Sequence, residues 1–266
     1  MTVISTLITK YGTVHATDSL ITKPTEANKR EIVEDQRSKI VEVRRFRGAM
    51  SYWGAAYIPS SNGNVSMLDW LQKEVEHANQ YPDPEQFAQA VARNLGRVLS
   101  SEQGIGIHFT AYEYIENYWI PELFLISNYA DPGYQALRAL DVSRETYKTI
   151  SNEEPKPEHR EKEYRLAVHR DLQIDGNLIY NNGDPDLFNP IANALLDTLK
   201  SLDSRGVLKK TPDLEFFRRL ATLPIEFIAN LQKKDFCEFA TRRVGGKLHS
   251  LSITPEGIYF PDKGNQ

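Results

Sequence analysis

The sequence predicts an α+β fold in which antiparallel sheets pack against helices. Strand-like and helix-like segments occur in separate runs along the chain instead of alternating one for one. Short turns join consecutive strand-like segments, which is typical of antiparallel hairpins. The last two strand-like segments also need a sheet to join. A single domain over residues 1–266 is therefore more economical than two.

The first part of the chain predicts two hairpins. Thr2 to Thr9 and Thr13 to Thr17 are rich in β-branched residues and are separated by a turn that contains glycine. Lys39 to Arg44 and Ala49 to Trp53 flank a second glycine in the same way. A polar stretch, Lys23 to Arg37, connects the two hairpins.

Helices are predicted next. Apolar residues at helical spacing indicate a first helix at about residues 66–79. The second helix, at about residues 84–100, has clearer boundary signals. Asp83 can cap its first turn, Pro84 suits the first helical position and Gln86 can complete a capping box.

The second half of the chain repeats this order of strands and helices around a charged segment. Tyr134 to Asp175 is highly charged and contains two prolines, which indicates an insertion into the domain. The other predicted elements are strands at Ile105 to Tyr114, Trp119 to Ser127 and Asn177 to Tyr180, helices at about 187–203 and 213–232, and a closing hairpin of Lys247 to Thr254 and Gly257 to Phe260.

Composition excludes several classes of protein. Hydrophobic residues make up 40% and charged residues 26%, which is ordinary globular composition. The charge balance, 32 − 36 = −4, provides no basic field for nucleic acid or an anionic membrane. A single cysteine, Cys237, allows no internal disulfide and fits a reducing compartment. Because no leader pattern or apolar run of 18 residues is present, we expect an unexported cytoplasmic protein.

Three patterns in the sequence resemble functional motifs but lack features that those motifs require. His169 begins a kinase-like His-Arg-Asp-Leu segment, but Gly176 stands where a kinase needs the metal-binding Asn. Gly104 and Gly106 form a lone Gly-x-Gly that no helix follows, so they are expected to be strand glycines. The six histidines lack metal-ligand spacing and are expected to be structural or surface residues. No cofactor and no metal are therefore predicted.

Thr2 is a candidate nucleophile. It follows the initiator methionine, and a small second residue permits removal of that methionine. The α-amine then exposed has a pKa of about 7.7 to 8.0, so it can act as a base for the hydroxyl of the same residue. The alternative is that Thr2 only opens the first strand.

The stretch TVISTLITKYGTVHATDS, from Thr2 onward, resembles the mature N-terminus of proteasome β-subunits and HslV-type peptidases, which are N-terminal nucleophile hydrolases. That family has an Asp sixteen residues after its Thr, and here Asp18 follows Thr2 by 18 − 2 = 16. Lys39 matches the family's Lys at the third strand, and Gly54 matches its oxyanion segment. Segments 180–196 and 244–258 resemble later parts of the family.

The resemblance implies both a fold and an activity. The fold would be a four-layer αββα sandwich of two stacked antiparallel sheets. The activity would be that of a threonine peptidase or amidase, which cleaves polypeptide or amide substrates through a Thr2 acyl-enzyme. Lys39 would lower the pKa of the Thr2 amine and hydroxyl, Asp18 would hold Lys39 charged, and the Gly54 N–H would stabilise the oxyanion.

The same resemblance implies a homo-oligomeric ring, with an unfoldase as a possible partner. Phe216, Phe217 and Phe227 offer apolar material for ring contacts, although core packing is the alternative. Two departures favour a catalytically silent ring subunit or binding module. Asn182 stands where the family has a Ser, and residues 241–244 replace its Asp-x-x-Ser. A small-molecule amidase would differ from the peptidase only in the size of its pocket.

Simpler explanations exist for each site residue. Asp18 can be a turn residue, Lys39 can be a solubilising residue at a strand edge, and Gly54 can be a break at a strand end.

Overall fold

A computed structural model describes residues 3–24, 30–61, 63–100, 102–128, 134–138, 177–182, 185–207, 213–233 and 244–261. The strands within these ranges are β1 (Ile4–Thr9), β2 (Gly12–Asp18), β3 (Ile21–Pro24), β4 (Arg30–Glu34), β5 (Ile40–Val43), β6 (Gly48–Gly54), β7 (Tyr57–Ile58), β8 (Val65–Ser66), β9 (Ile105–Ile115), β10 (Tyr118–Ser127), β11 (Gln135–Arg138), β12 (Asn177–Asn182), β13 (Leu248–Ile253) and β14 (Tyr259–Pro261). The α-helices are α1 (Met67–Glu76), α2 (Pro84–Val98), α3 (Pro185–Ser204) and α4 (Leu214–Lys233).

Two five-stranded sheets form the framework. The first has the order β12-β1-β2-β13-β14, and the second has the order β11-β10-β9-β6-β5. Neighbouring strands in both sheets run antiparallel. The fold therefore combines antiparallel sheets with helices, and this part of the α+β prediction is confirmed.

Each sheet has its own apolar core. Helices α1 and α2 pack on the second sheet, where Phe87, Phe109 and Phe124 lie together in the largest buried cluster. Helix α4 packs on β1, β2 and β13 of the first sheet, where Val14 and Phe217 are buried. Strand β2 also contacts β5 and β6, so the two sheets touch each other directly.

Local signals in the sequence correspond to the observed helix boundaries. Helix α2 begins at Pro84, and the Asp83 Oδ1 accepts a hydrogen bond of 2.8 Å from the Gln86 N–H. The Gln86 side chain donates to the Asp83 carboxylate at 2.9 Å, whereas a capping box would have it bind a backbone atom. The predicted N-cap is confirmed.

The polar stretch between the first two hairpins contains an element that the sequence analysis missed. Strands β3 and β4 pair with each other as a separate two-stranded sheet. Ile32 and Val33 are both exposed on β4. Because successive strand residues face opposite sides, neither face of the hairpin is covered at these positions.

The charged segment is described only at its start. Strand β11 pairs with β10, and the Arg138 side chain is buried against Glu122 at 3.1 Å and Glu85 at 2.7 Å. Residues 139–176, with the kinase-like motif, and Cys237 lie outside the described residues. In the part of the chain that the structure describes, no helix is long and apolar enough to cross a membrane.

Candidate active site

The candidate site begins where β1 starts and β2 ends. Asp18, the last residue of β2, is fully buried. Its Oδ1 accepts a hydrogen bond of 3.2 Å from the Val3 N–H, and its Oδ2 accepts one of 3.1 Å from the Gly245 N–H. The carboxylate therefore joins the beginning of the first strand to the turn before β13.

Lys39 reaches the same carboxylate from the second sheet. Its side chain is 1% exposed, and its Nζ lies 3.2 Å from the Asp18 Oδ1 and 2.9 Å from the Leu20 carbonyl oxygen. The Tyr52 N–H donates to the Lys39 carbonyl at 3.3 Å, which ties the lysine backbone to β6. A lysine this deeply buried cannot be a solubilising residue at a strand edge, so that explanation is wrong.

Burial favours the uncharged form of both Asp18 and Lys39, so it shifts their pKa values in opposite directions. Burial raises the pKa of Asp18, while the Lys39 charge and the Gly245 and Val3 N–H groups lower it. Burial also lowers the pKa of Lys39, and the Asp18 charge opposes that effect. The three groups that hydrogen bond to Asp18 are all donors, and this arrangement suits an ionised carboxylate. Strongly perturbed groups of this kind are enriched at functional sites.

Gly54 is the last residue of β6, two residues after Tyr52. Its φ of +96° and the 2.2 Å that would separate an added Cβ from the Gly104 carbonyl oxygen both require glycine. Because the Tyr52 N–H points to Lys39, strand alternation directs the Gly54 N–H toward the same edge of β6. The Ala55 N–H already donates to the Gly104 carbonyl at 3.1 Å. Of these two N–H groups, that of Gly54 is therefore the better placed to donate to an oxyanion.

Gly106 has a packing role in this neighbourhood. A Cβ on Gly106 would lie 1.6 Å from the Trp53 ring, so only glycine lets the indole rest on β9. The Trp53 ring also packs against His108, and the two ring centroids are 5.7 Å apart. Gly106 lies within β9, so the expectation of a strand glycine is confirmed there, whereas Gly104 lies just before the strand begins.

The remaining predicted residues are Asn182 and Thr2. Asn182 ends β12, and its Cα pairs with that of Ile4 on the neighbouring strand. Thr2 lies outside the described residues, but it precedes Val3, whose N–H binds Asp18. The structure therefore brings Asp18 and Lys39 together, and it places Asn182 beside the first residue of β1 and Gly54 at the end of β6.

The segment before the Gly-Gly turn is described only at its last residue. Val244 is buried in the apolar cluster beneath the first sheet. Its N–H donates to the Gln232 Oε1 at 2.9 Å. Residues 241–243 lie outside the described residues.

A buried layer of polar side chains lies between the two sheets, and the sequence analysis did not predict it. His15 on β2 lies with its Nδ1 2.9 Å from the Ser51 Oγ and its Nε2 2.7 Å from the Thr110 Oγ1. His108 lies 2.9 Å from the Thr6 Oγ1. Burial lowers the pKa of each histidine to about 3, so both rings are neutral at physiological pH. The sequence feature that could have indicated this layer is the presence of histidine and threonine at alternate positions of β2 and β9.

The described residues contain no group of three histidine, cysteine, aspartate or glutamate side chains placed to hold a metal. No protein-family model matches this chain, and comparison with curated proteins finds no significant match.

Proposed function

We propose that this protein is an N-terminal threonine peptidase or amidase of the proteasome β-subunit and HslV type. The observation that supports this proposal is that one oxygen of the Asp18 carboxylate accepts two hydrogen bonds. The Asp18 Oδ1 binds both the Lys39 ammonium and the N–H of Val3. That N–H belongs to the peptide bond formed by Thr2, so the candidate nucleophile is attached next to a buried positive charge.

The reaction would proceed in two steps. The Thr2 hydroxyl oxygen attacks the carbonyl carbon of the substrate, and its proton passes to the α-amine of Thr2, directly or through a water molecule. The amine leaving group takes up that proton as the scissile C–N bond breaks. Water then hydrolyses the ester that remains on Thr2.

Each neighbouring group has a separate task in this scheme. The Lys39 charge lowers the pKa of the Thr2 hydroxyl and amine, which favours the reactive forms of both. Asp18 holds the lysine in place and charged. The Gly54 N–H stabilises the oxyanion that forms during attack. The substrate class is a polypeptide or another amide.

The arrangement of elements supports the same assignment. Two five-stranded antiparallel sheets contact each other through β1, β2, β5 and β6, with α1 and α2 on one sheet and α4 on the other. This agrees with the four-layer αββα sandwich of the family. In the proposal the chain assembles into a homo-oligomeric ring, to which an unfoldase can deliver substrate.

The test compares Thr2→Ala with Thr2→Ser. Both variants keep a small second residue, so methionine removal is preserved, but only serine retains a hydroxyl. We expect peptide hydrolysis and an acyl adduct on the first residue in the parent and in Thr2→Ser, and neither in Thr2→Ala. Intact mass must show that Met1 is absent. Equal turnover by Thr2→Ala and the parent would refute the threonine mechanism.

A catalytically silent ring subunit is the second candidate, and two departures from the family favour it. Val244, at the position that matches the family's Ser, has no hydroxyl, and its side chain is buried in an apolar cluster. Asn182 likewise replaces a family Ser. Quantitative retention of Met1, together with no acyl adduct on Thr2 after treatment with a hydroxyl-reactive acyl probe, would favour this candidate over the enzyme.

A further inference from the structure

We propose that Ser19 is a positioning residue for the Asp18–Lys39 pair, an inference that rests on the proposed function. Ser19 follows Asp18 directly and is fully buried. Its hydroxyl contacts neither charged group. It acts through the backbone segments that present them.

The Ser19 hydroxyl joins three separate segments of the chain. It donates to the Asp35 carbonyl oxygen, and it accepts a hydrogen bond of 2.7 Å from the Lys247 N–H. The Lys247 N–H also donates to the Asp35 carbonyl at 2.8 Å. We call this meeting of Ser19, Asp35, Gly246 and Lys247 the Ser19 junction.

Both partners of the ion pair are attached to the Ser19 junction. Asp18 and Leu20, on either side of Ser19, bond to Gly245 through the Asp18 Oδ2 at 3.1 Å and the Leu20 N–H at 3.0 Å. The Leu20 carbonyl then accepts from the Lys39 Nζ at 2.9 Å. Asp35 begins the short segment that ends at Lys39. The hydroxyl therefore sets how far the lysine-bearing segment lies from the aspartate-bearing turn.

Gly246 shows how closely the segments approach. Its φ is +74°, and a Cβ built there would lie 2.4 Å from the Ser19 Oγ and 2.5 Å from the Asp35 carbonyl oxygen. The chain can pass the hydroxyl only as glycine. A junction this tight leaves no room for a water molecule to replace the hydroxyl and keep the same spacing.

The test compares Ser19→Ala with a matched control, Ser252→Ala. Ser252 is 2% exposed on β13, and its hydroxyl has no hydrogen-bond partner among the described residues. The first readout is the pH midpoint of the Lys39 side chain, followed by NMR with carbon-13 lysine. We expect Ser19→Ala to raise this midpoint because a loosened junction admits water beside the ammonium group. Ser252→Ala should leave it unchanged.

The second readout is turnover of a peptide substrate. Loss of the spacing should lower kcat about tenfold in Ser19→Ala while KM changes little. If the parent has no turnover, the proposed function fails, and the Lys39 midpoint still decides the role of Ser19. Equal midpoints in Ser19→Ala, Ser252→Ala and the parent overturn the positioning role whether or not the protein is an enzyme.

A second variant covers the case in which Ser19→Ala does not fold. Gly246→Ala inserts a methyl group into the same junction, and we expect it to shift the Lys39 midpoint as well. An unshifted midpoint in folded Gly246→Ala overturns the proposal. Unfolding of both variants, with Ser252→Ala folded, would make Ser19 a structural residue and also overturn it.

Discussion

The two histidines between the sheets should make the stability of this protein fall steeply in mild acid. Burial lowers the pKa of His15 and of His108 from an ordinary 6.5 to about 3. Below pH 6.5 the unfolded chain therefore binds protons that the folded protein does not. The free energy of unfolding is unaffected by these groups above pH 6.5, and it decreases as the pH falls toward 3.

The size of the effect follows from the shift. At pH 5 each histidine favours the unfolded chain by about 2 kcal/mol, since that pH lies about 1.5 units below the ordinary pKa. The two together remove about 4 kcal/mol, which is a large share of the roughly 5–15 kcal/mol that stabilises a typical domain. The corresponding slope is about 2.7 kcal/mol per pH unit in the middle of this range.

Urea unfolding followed by tryptophan fluorescence, at a series of pH values from neutral to about 5, measures this slope. His15→Gln removes one titrating ring but keeps an amide that can bond to Ser51 and Thr110. We expect its slope to be smaller than that of the parent by about 1.4 kcal/mol per pH unit, the contribution of one histidine. His77→Gln is the control because His77 is exposed on the surface. Other titrating groups are common to the compared proteins, so their contributions cancel in the difference.

The reasoning would be refuted by equal slopes in the parent and His15→Gln. A slope that His77→Gln reduces as much as His15→Gln would also refute it, because the buried layer would then not be the source.

Three other predictions follow from the same structure. Lys39→Ala leaves the Asp18 carboxylate buried without its cation and should cost about 3–5 kcal/mol in urea unfolding; parental stability would contradict the pair. Gly106→Ala should displace the Trp53 ring, cost about 1–3 kcal/mol and shift the tryptophan emission to longer wavelength; an unshifted spectrum would contradict the close contact. Phe227, half exposed on α4, should be covered in a homo-oligomer, so light scattering should exceed 30.4 kDa several-fold and Phe227→Glu should reduce it; a monomeric parent would contradict this.

Much of the element order could be predicted because its signals are local. The capping residue of α2, the glycine turns and the alternating strands are all set by neighbours in the chain. The interface assignment was less accurate. Phe217 is 5% exposed in the core, as the alternative explanation had it, and Phe216 is packed against it, while Phe227 is exposed.

Contacts between distant segments could not be predicted. The hydrogen bond from Gly245 to Asp18 joins residues far apart in sequence, and no local pattern indicates it. The polar layer between the sheets was not predicted for a different reason. Polar residues on alternate strand positions normally indicate the solvent side, but His15 and His108 face the neighbouring sheet. Hydroxyl groups there bond to both ring nitrogens of His15 and to the Nδ1 of His108.

The strands on either side of residues 139–176 have a consequence for changes in chain length. Strand β11 is the outer strand of one sheet, and β12 is the outer strand of the other. The contacts of β1 with β6 and of β13 with β5 place these two outer strands on the same side of the molecule. The buried Arg138 fixes the exit point through Glu122 and Glu85. A connection between two outer strands can be lengthened or shortened without changing strand order, and the entropic cost rises only with the logarithm of its length. The chain can therefore acquire or lose sequence here while the pairing of both sheets is preserved.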